Sequence, residues 1–229
     1  MAAAAGGSGA AGRGGRGSGT QLGQGEFHAV DDALLRRGVA TFSLDGPGQG
    51  ALVGTAPSTE YHAVVGRAVD ALETHPDLDT AAGVGLIGLS LGGYYAALTA
   101  AHEPRIRAAA LISGPYRLDW AELPPFVTET LTVRSGSPAA AREFAQRVDL
   151  SDLAARITCP LRVVEGGTDI TPGVVNAEAA ARESARGELV VVPHGDHLLC
   201  NATSDWLPST ADWFAQRLVS EQAGHTPAS

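Results

Sequence analysis

Basic charge is scarce in this chain. It contains no lysine, and its 16 basic residues, all arginine, face 25 aspartates and glutamates. Without a surplus of positive charge there is no stripe to follow a phosphate backbone, which argues against nucleic-acid binding. Cysteine is nearly absent too. Cys159 and Cys200 are the only two, too few for a disulfide framework and without metal-ligand spacing, so reduced thiols are expected. No apolar run approaches the roughly 20 residues of a membrane-crossing helix. The N-terminus also lacks the basic start and continuous apolar stretch of a secretory signal. These absences leave a soluble, cytoplasmic protein as the expectation, with no nucleic acid, membrane, metal or cofactor as partner.

What the chain has instead is glycine and a regular alternation of elements. Its 229 residues include 29 glycines, and the length suits one α/β domain with a full core without demanding two. Residues 1–24 are almost entirely Ala, Gly, Ser, Arg and Thr, with Leu22 the one large aliphatic after Met1. Such a segment buries too little apolar surface to offset its ordering entropy, so a disordered tail is expected there. One domain is expected over 25–222 and a second short tail over 223–229.

Within the domain, Glu26 to Arg37 fits an amphipathic helix with Phe27, Val30, Ala33 and Leu34 on one face. Val39 to Leu44 reads as a strand that stops at the turn-rich Asp45-Gly46-Pro47-Gly48-Gln49-Gly50. Helix over Glu60–Thr74, strand over Ala82–Gly88 and helix over Tyr94–Ala101 follow. Further strands are expected at Ala108–Ser113, Leu161–Glu165 and Glu188–Val192, with helices at Asn176–Ala185 and Ser209–Gln222. Strands alternating with helices imply a mostly parallel sheet with helices on both faces. The interval from Tyr116 to Ile157 is helical in tendency and breaks the rhythm. It sits where a small helical lid is inserted over an active site in folds of this kind.

The chemistry gathers at one turn. Gly88-Leu89-Ser90-Leu91-Gly92 places a serine in a G-x-S-x-G frame between a buried strand and an apolar helix, the setting of a nucleophile elbow. A strand that reverses sharply into a helix needs small neighbours, and Gly88, Gly92 and Gly93 supply them. The Leu91 amide then stands at the helix N-terminus, where it can stabilise an oxyanion. Two further candidates lie beyond strand ends: Asp169 after Gly166-Gly167-Thr168, and His197 in Pro193-His194-Gly195-Asp196-His197. The order Ser90, Asp169, His197 matches nucleophile, orienting acid and base in α/β-hydrolases. Each has a plainer reading. Asp169 would cap the turn before Pro172. His194 competes with His197, but it directly follows Pro193 at the strand edge and has less room to reach inward. Asp196 reads as a turn former, Asp45 as part of a structural loop, and Cys200 as a small buried filler.

Leu44-Asp45-Gly46-Pro47-Gly48-Gln49-Gly50, Gly88-Leu89-Ser90-Leu91-Gly92-Gly93-Tyr94-Tyr95, Gly114-Pro115-Tyr116, Gly195-Asp196-His197 with Cys200-Asn201, and Ala211-Asp212-Trp213 together carry a resemblance. From about Glu26 to Leu218 the chain resembles the α/β-hydrolases grouped with 2,6-dihydroxypseudooxynicotine hydrolase and the fermentation–respiration switch protein. The resemblance implies a serine hydrolase acting on an ester, or on a carbon–carbon bond next to a carbonyl, in a small-molecule substrate. It implies Ser90, Asp169 and His197 at the triad positions and the Leu91 amide at one oxyanion-hole position.

The chain departs from this family at its N-terminus. Relatives carry a helical region, early strands and a Gly-rich strand-end loop before the helix matching Glu26–Arg37. The missing strand belongs between Val39–Leu44 and the elbow strand, so its absence predicts a gap in the ladder, with buried backbone groups unpaired. Residues 1–24 offer no β-branched run to fill it. The loop after that strand normally supplies the second oxyanion donor, and Gln21-Leu22-Gly23-Gln24-Gly25 could offer an amide in roughly that place. Three expectations therefore stand: an active hydrolase with a shortened N-terminus, a truncated or frame-shifted fragment with little activity, and a non-catalytic ligand-binding module. A homodimer is left open.

Overall fold

A computed structural model of the chain describes residues 2–5, 24–81 and 83–219. Its centre is a six-stranded sheet in which every pairing is parallel. The strands are β1 (Ala2–Ala5), β2 (Thr41–Leu44), β3 (Val84–Leu89), β4 (Ile106–Ile112), β6 (Leu161–Gly166) and β8 (Gly187–Val192), in the order β2-β1-β3-β4-β6-β8. Two short strands, β5 (Pro115–Leu118) and β7 (Val174–Asn176), form a separate antiparallel pair.

Alternation along the central strands decides the layers. Val84 and Leu86 of β3, with Ala109 and Leu111 of β4, face a core that includes Tyr61, Val65 and Tyr95. Ile87 and Leu89, with Ala110 and Ile112, face the opposite core, built with Val30, Leu34, Trp206 and Phe214. Successive side chains of a strand point to opposite faces, so these near-continuous apolar runs need cover on both sides. Helices α2 (Tyr61–Glu73), α3 (Leu91–Ala100) and α6 (Glu178–Glu183) cover the first face; α1 (Gln24–Leu35) and α7 (Thr203–Leu218) cover the second. Helix α3 is buried from Gly92 to Ala100. The interval between β4 and β6 carries β5, α4 (Pro125–Ser135) and α5 (Pro138–Arg147).

The expected gap in the ladder is corrected by β1. Ala2–Ala5 pairs with Thr41–Leu44 on one side and with Gly85–Gly88 on the other. A strand held between two parallel neighbours needs an N–H and a C=O at each residue, and alanine has both. The preference for β-branched residues reflects packing and context more than any backbone requirement, so its absence did not bar this segment. Of the tail expected over 1–24, Ala2–Ala5 form β1 and Gln24 opens α1; residues 6–23 lie outside the described residues, as does the second tail, 223–229. β2 is the edge of the sheet, with no further strand paired to its outer side among the described residues.

Other boundaries moved for local reasons. The helix expected at Asn176–Ala185 is shorter, because Val174–Asn176 pairs with β5 before the chain turns into α6. The last helix begins at Thr203, six residues earlier than its reading, with Pro208 inside it. A proline this close to the N-terminus removes a single intrahelical bond.

Candidate active site

Ser90 sits at the corner between β3 and α3 with φ +53 and ψ −125, a conformation disfavoured for any residue with a Cβ. Its neighbours make the corner feasible. A Cβ on Gly88 would lie 2.0 Å from the Gly92 carbonyl oxygen, and one on Gly93 would lie 2.9 Å from Gly114 Cα. Strand and helix backbones approach so closely that only hydrogen fits. The Ser90 N–H donates to the Ile112 carbonyl at 2.8 Å, and the Gly93 N–H to the Ser90 carbonyl at 2.7 Å. The Ser90 side chain makes no capping bond to the helix. Leu91 opens α3, so its N–H has no carbonyl partner within the helix.

Asp169 lies in the turn beyond β6 and is 8 % exposed. His197 lies beyond β8, at the start of a 3-10 segment, His197–Ala202. The fold brings both to Ser90. His197 Nδ1 is 2.9 Å from Asp169 Oδ2, and His197 Nε2 is 3.0 Å from Ser90 Oγ. With the proton on Nδ1, the imidazole donates to Asp169 and accepts from the Ser90 hydroxyl. His194 turns the other way: its Nε2 lies 3.0 Å from Asp205 Oδ2, both side chains well exposed. Asp196 takes part in the turn, its N–H donating to Asn201 Oδ1 at 3.1 Å.

The Asp45 loop is arranged around a buried polar node. Gln49 Oε1 accepts from the Tyr61 hydroxyl at 2.9 Å and from the Gly46 N–H at 3.3 Å, while Asp45 packs against Gly50. Cys200 is exposed rather than the buried filler expected, and its neighbours Leu198 and Leu199, both with positive φ, are among the buried residues of that segment. Cys159 is the buried cysteine, and burial pushes its thiol up to about 11. Between α1 and the start of α7 lies an apolar cavity of about 120 Å³ lined by Val30, Leu89, Leu198, Cys200, Trp206 and Leu207.

One residue near the site is not marked out by any sequence motif. Glu165, the penultimate residue of β6, is 1 % exposed. Its Oε1 accepts the Ala177 N–H at 3.1 Å, while Oε2 has no partner among the described residues. Burial pushes its carboxyl up to about 8, the charges of Asp169 and Glu178 push the same way, and the Ala177 N–H opposes them. In the sequence Glu165 is one of two charges, with Arg162, in the otherwise apolar run Leu161-Arg162-Val163-Val164-Glu165.

A parallel sheet with a strained serine at its central strand-to-helix corner, and a histidine and aspartate converging on it, defines the α/β-hydrolase fold. Comparisons with known proteins agree on that class. No protein-family model matches the chain. In sequence it is homologous to 2,6-dihydropseudooxynicotine hydrolase of Paenarthrobacter nicotinovorans, 29% identical over 205 residues that cover 85% of this chain and 54% of that protein. The crystal structure of the 2,6-dihydroxy-pseudo-oxynicotine hydrolase superposes with a TM-score of 0.73 at 26% identity, covering 95% of this chain and 60% of that one. Est1E from Butyrivibrio proteoclasticus shares the fold, with a TM-score of 0.66 at 17% identity over 96% of this chain and 88% of its own. The chain thus spans little more than half the length of that curated relative.

Proposed function

We propose that the chain is a serine hydrolase that cleaves an ester, or a carbon–carbon bond next to a carbonyl, through an acyl-enzyme. The observation that carries this reading is the continuous relay from Asp169 through His197 to Ser90, at 2.9 and 3.0 Å. Ser90 Oγ attacks the substrate carbonyl carbon as His197 Nε2 takes its proton. Asp169, nearly buried, holds the imidazole in the required tautomer and stabilises the imidazolium that forms. The Leu91 N–H, aided by the N-terminal end of α3, stabilises the oxyanion of the tetrahedral intermediate. His197 then gives its proton to the leaving group, which departs as an alcohol or, for a carbon–carbon bond, as the protonated carbon fragment. Water, activated by the same histidine, releases the acid and restores Ser90.

The test is direct. A fluorophosphonate probe is expected to label the purified chain, and Ser90→Ala to abolish that labelling while leaving the far-UV circular dichroism unchanged. A folded chain that resists the probe ends the claim. Turnover of short p-nitrophenyl esters then separates an esterase from an enzyme confined to carbon–carbon cleavage.

A further inference from the structure

The C-terminal end of β4 lies between Ser90 and His197 and touches the loops of both. On one side, the Ile112 carbonyl accepts the Ser90 N–H, and Gly114 is packed against Gly93 of the elbow. Ser113 stands between those two contacts. It is buried, its N–H donates to the Val164 carbonyl at 2.9 Å, and its Oγ accepts the Leu198 N–H at 3.0 Å. Leu198 directly follows His197 and is separated from Ser113 by 85 residues of chain.

Backbone strain marks the same place. Among the described residues, the non-glycine positions with positive φ are Ser90, Ser113, Leu198 and Leu199, at +53, +49, +70 and +54. Two are a proposed catalytic residue and the residue just after one; the other two adjoin or bond to them. Left-handed backbone is unfavourable wherever there is a Cβ, and it persists only where the surroundings hold it. At Leu198 the holding contact is the Ser113 hydroxyl. Glycine would suit φ +49 better than serine, so what serine adds at this position is an acceptor.

We propose that Ser113 is a positioning residue. By accepting the Leu198 amide it fixes the turn that carries His197, and so sets the approach of the imidazole to Ser90. One short segment, Ile112–Gly114, then aligns nucleophile and base, which are 107 residues apart in sequence. Ser113 acts through His197 and meets no reacting atom.

The proposal rests on Ser90 and His197 acting as nucleophile and base, and its test is built to fail separately. The rate of fluorophosphonate labelling is compared for the full chain, Ser113→Ala and Ser113→Gly. Both variants lack the acceptor, but glycine relieves the left-handed strain that alanine keeps. Both are expected to label about 10- to 100-fold more slowly, the scale of loss for a catalytic group displaced by around an ångström. Both should also weaken the far-downfield proton NMR signal of the His197–Asp169 hydrogen bond, while Ser113→Gly melts at or above Ser113→Ala. Labelling of Ser113→Gly at the unmutated rate, or rates that simply follow melting temperature, would overturn the proposal. If Ser113→Ala does not fold, Ser113→Gly decides alone. If the unmutated chain folds and takes no probe, the hydrolase reading fails, and an unchanged downfield signal in Ser113→Gly still overturns the positioning role.

Discussion

The two halves of the relay are built differently. The half that presents Ser90 is backbone against backbone: Gly88 on Gly92, and Gly93 on Gly114. The half that presents His197 and Asp169 is a web of side chains reaching across loops. The Thr168 hydroxyl donates to the Gly195 carbonyl at 2.6 Å, tying the aspartate turn to the histidine turn. Asn176 Nδ2 donates to the Asp169 carbonyl at 3.2 Å, and Asn201 Nδ2 to the His194 carbonyl at 2.9 Å. A corner made by close approach depends on a few contiguous residues and tolerates no added atom. A turn held by several distant hydrogen bonds is distributed, and each bond contributes about 1 kcal/mol.

The largest effect should therefore come from the elbow. Gly88→Val places a branched side chain where a Cβ alone already meets the Gly92 carbonyl oxygen at 2.0 Å. Urea unfolding is expected to show a loss of about 3 kcal/mol or more, the scale of severe overpacking, with no labelling of what remains folded. Near-normal stability would mean that close backbone approach is not what holds this corner.

Glu165 probes the other half through pH. Its carboxyl titrates near 8 in the fold against about 4.5 when free. Below 4.5 it is protonated in both states and leaves stability unaffected. Between 4.5 and 8 the unfolded chain ionises while the folded one keeps its proton, so stability falls as pH rises; above 8 the loss is complete and constant. Glu165→Gln keeps an acceptor for the Ala177 N–H and abolishes the titration. The variant is expected to be the more stable at pH 8, by roughly 2–5 kcal/mol, and its advantage should shrink to little by pH 4.5. Parallel stability curves for the two proteins across that window would refute a buried proton at Glu165.

The smallest effect is expected at His194. Its ion pair with Asp205 is exposed, and such pairs contribute about 0–1 kcal/mol. His194→Ala should label at the unmutated rate and melt within a degree or two of it. A large fall in labelling would reopen the choice between the two histidines of that loop.

How much was legible in the sequence follows the same division. The elbow could be read because Gly88, Ser90, Gly92 and Gly93 are contiguous and the turn depends on their size. The alternation of strands and helices could be read because apolar periodicity is local. Glu165 could not be placed, since a carboxylate at the end of a largely apolar run does not say whether it meets an amide from a loop a dozen residues on. The β5–β7 pair was hidden for a similar reason: its two short strands are joined only after the chain has passed through α4, α5 and β6.

By itself the sequence determined the strand-corner-helix unit at Ser90, the parallel α/β layering, and the order in which Ser90, Asp169 and His197 follow one another. These depend on residue size, polarity and spacing over short stretches. Tertiary structure alone decided that Ser113 holds the Leu198 amide and that Ala2–Ala5 completes the sheet between β2 and β3. Each of those outcomes is a contact between residues distant in the chain, and a strand of plain alanines is recognisable only by the neighbours whose backbone it pairs.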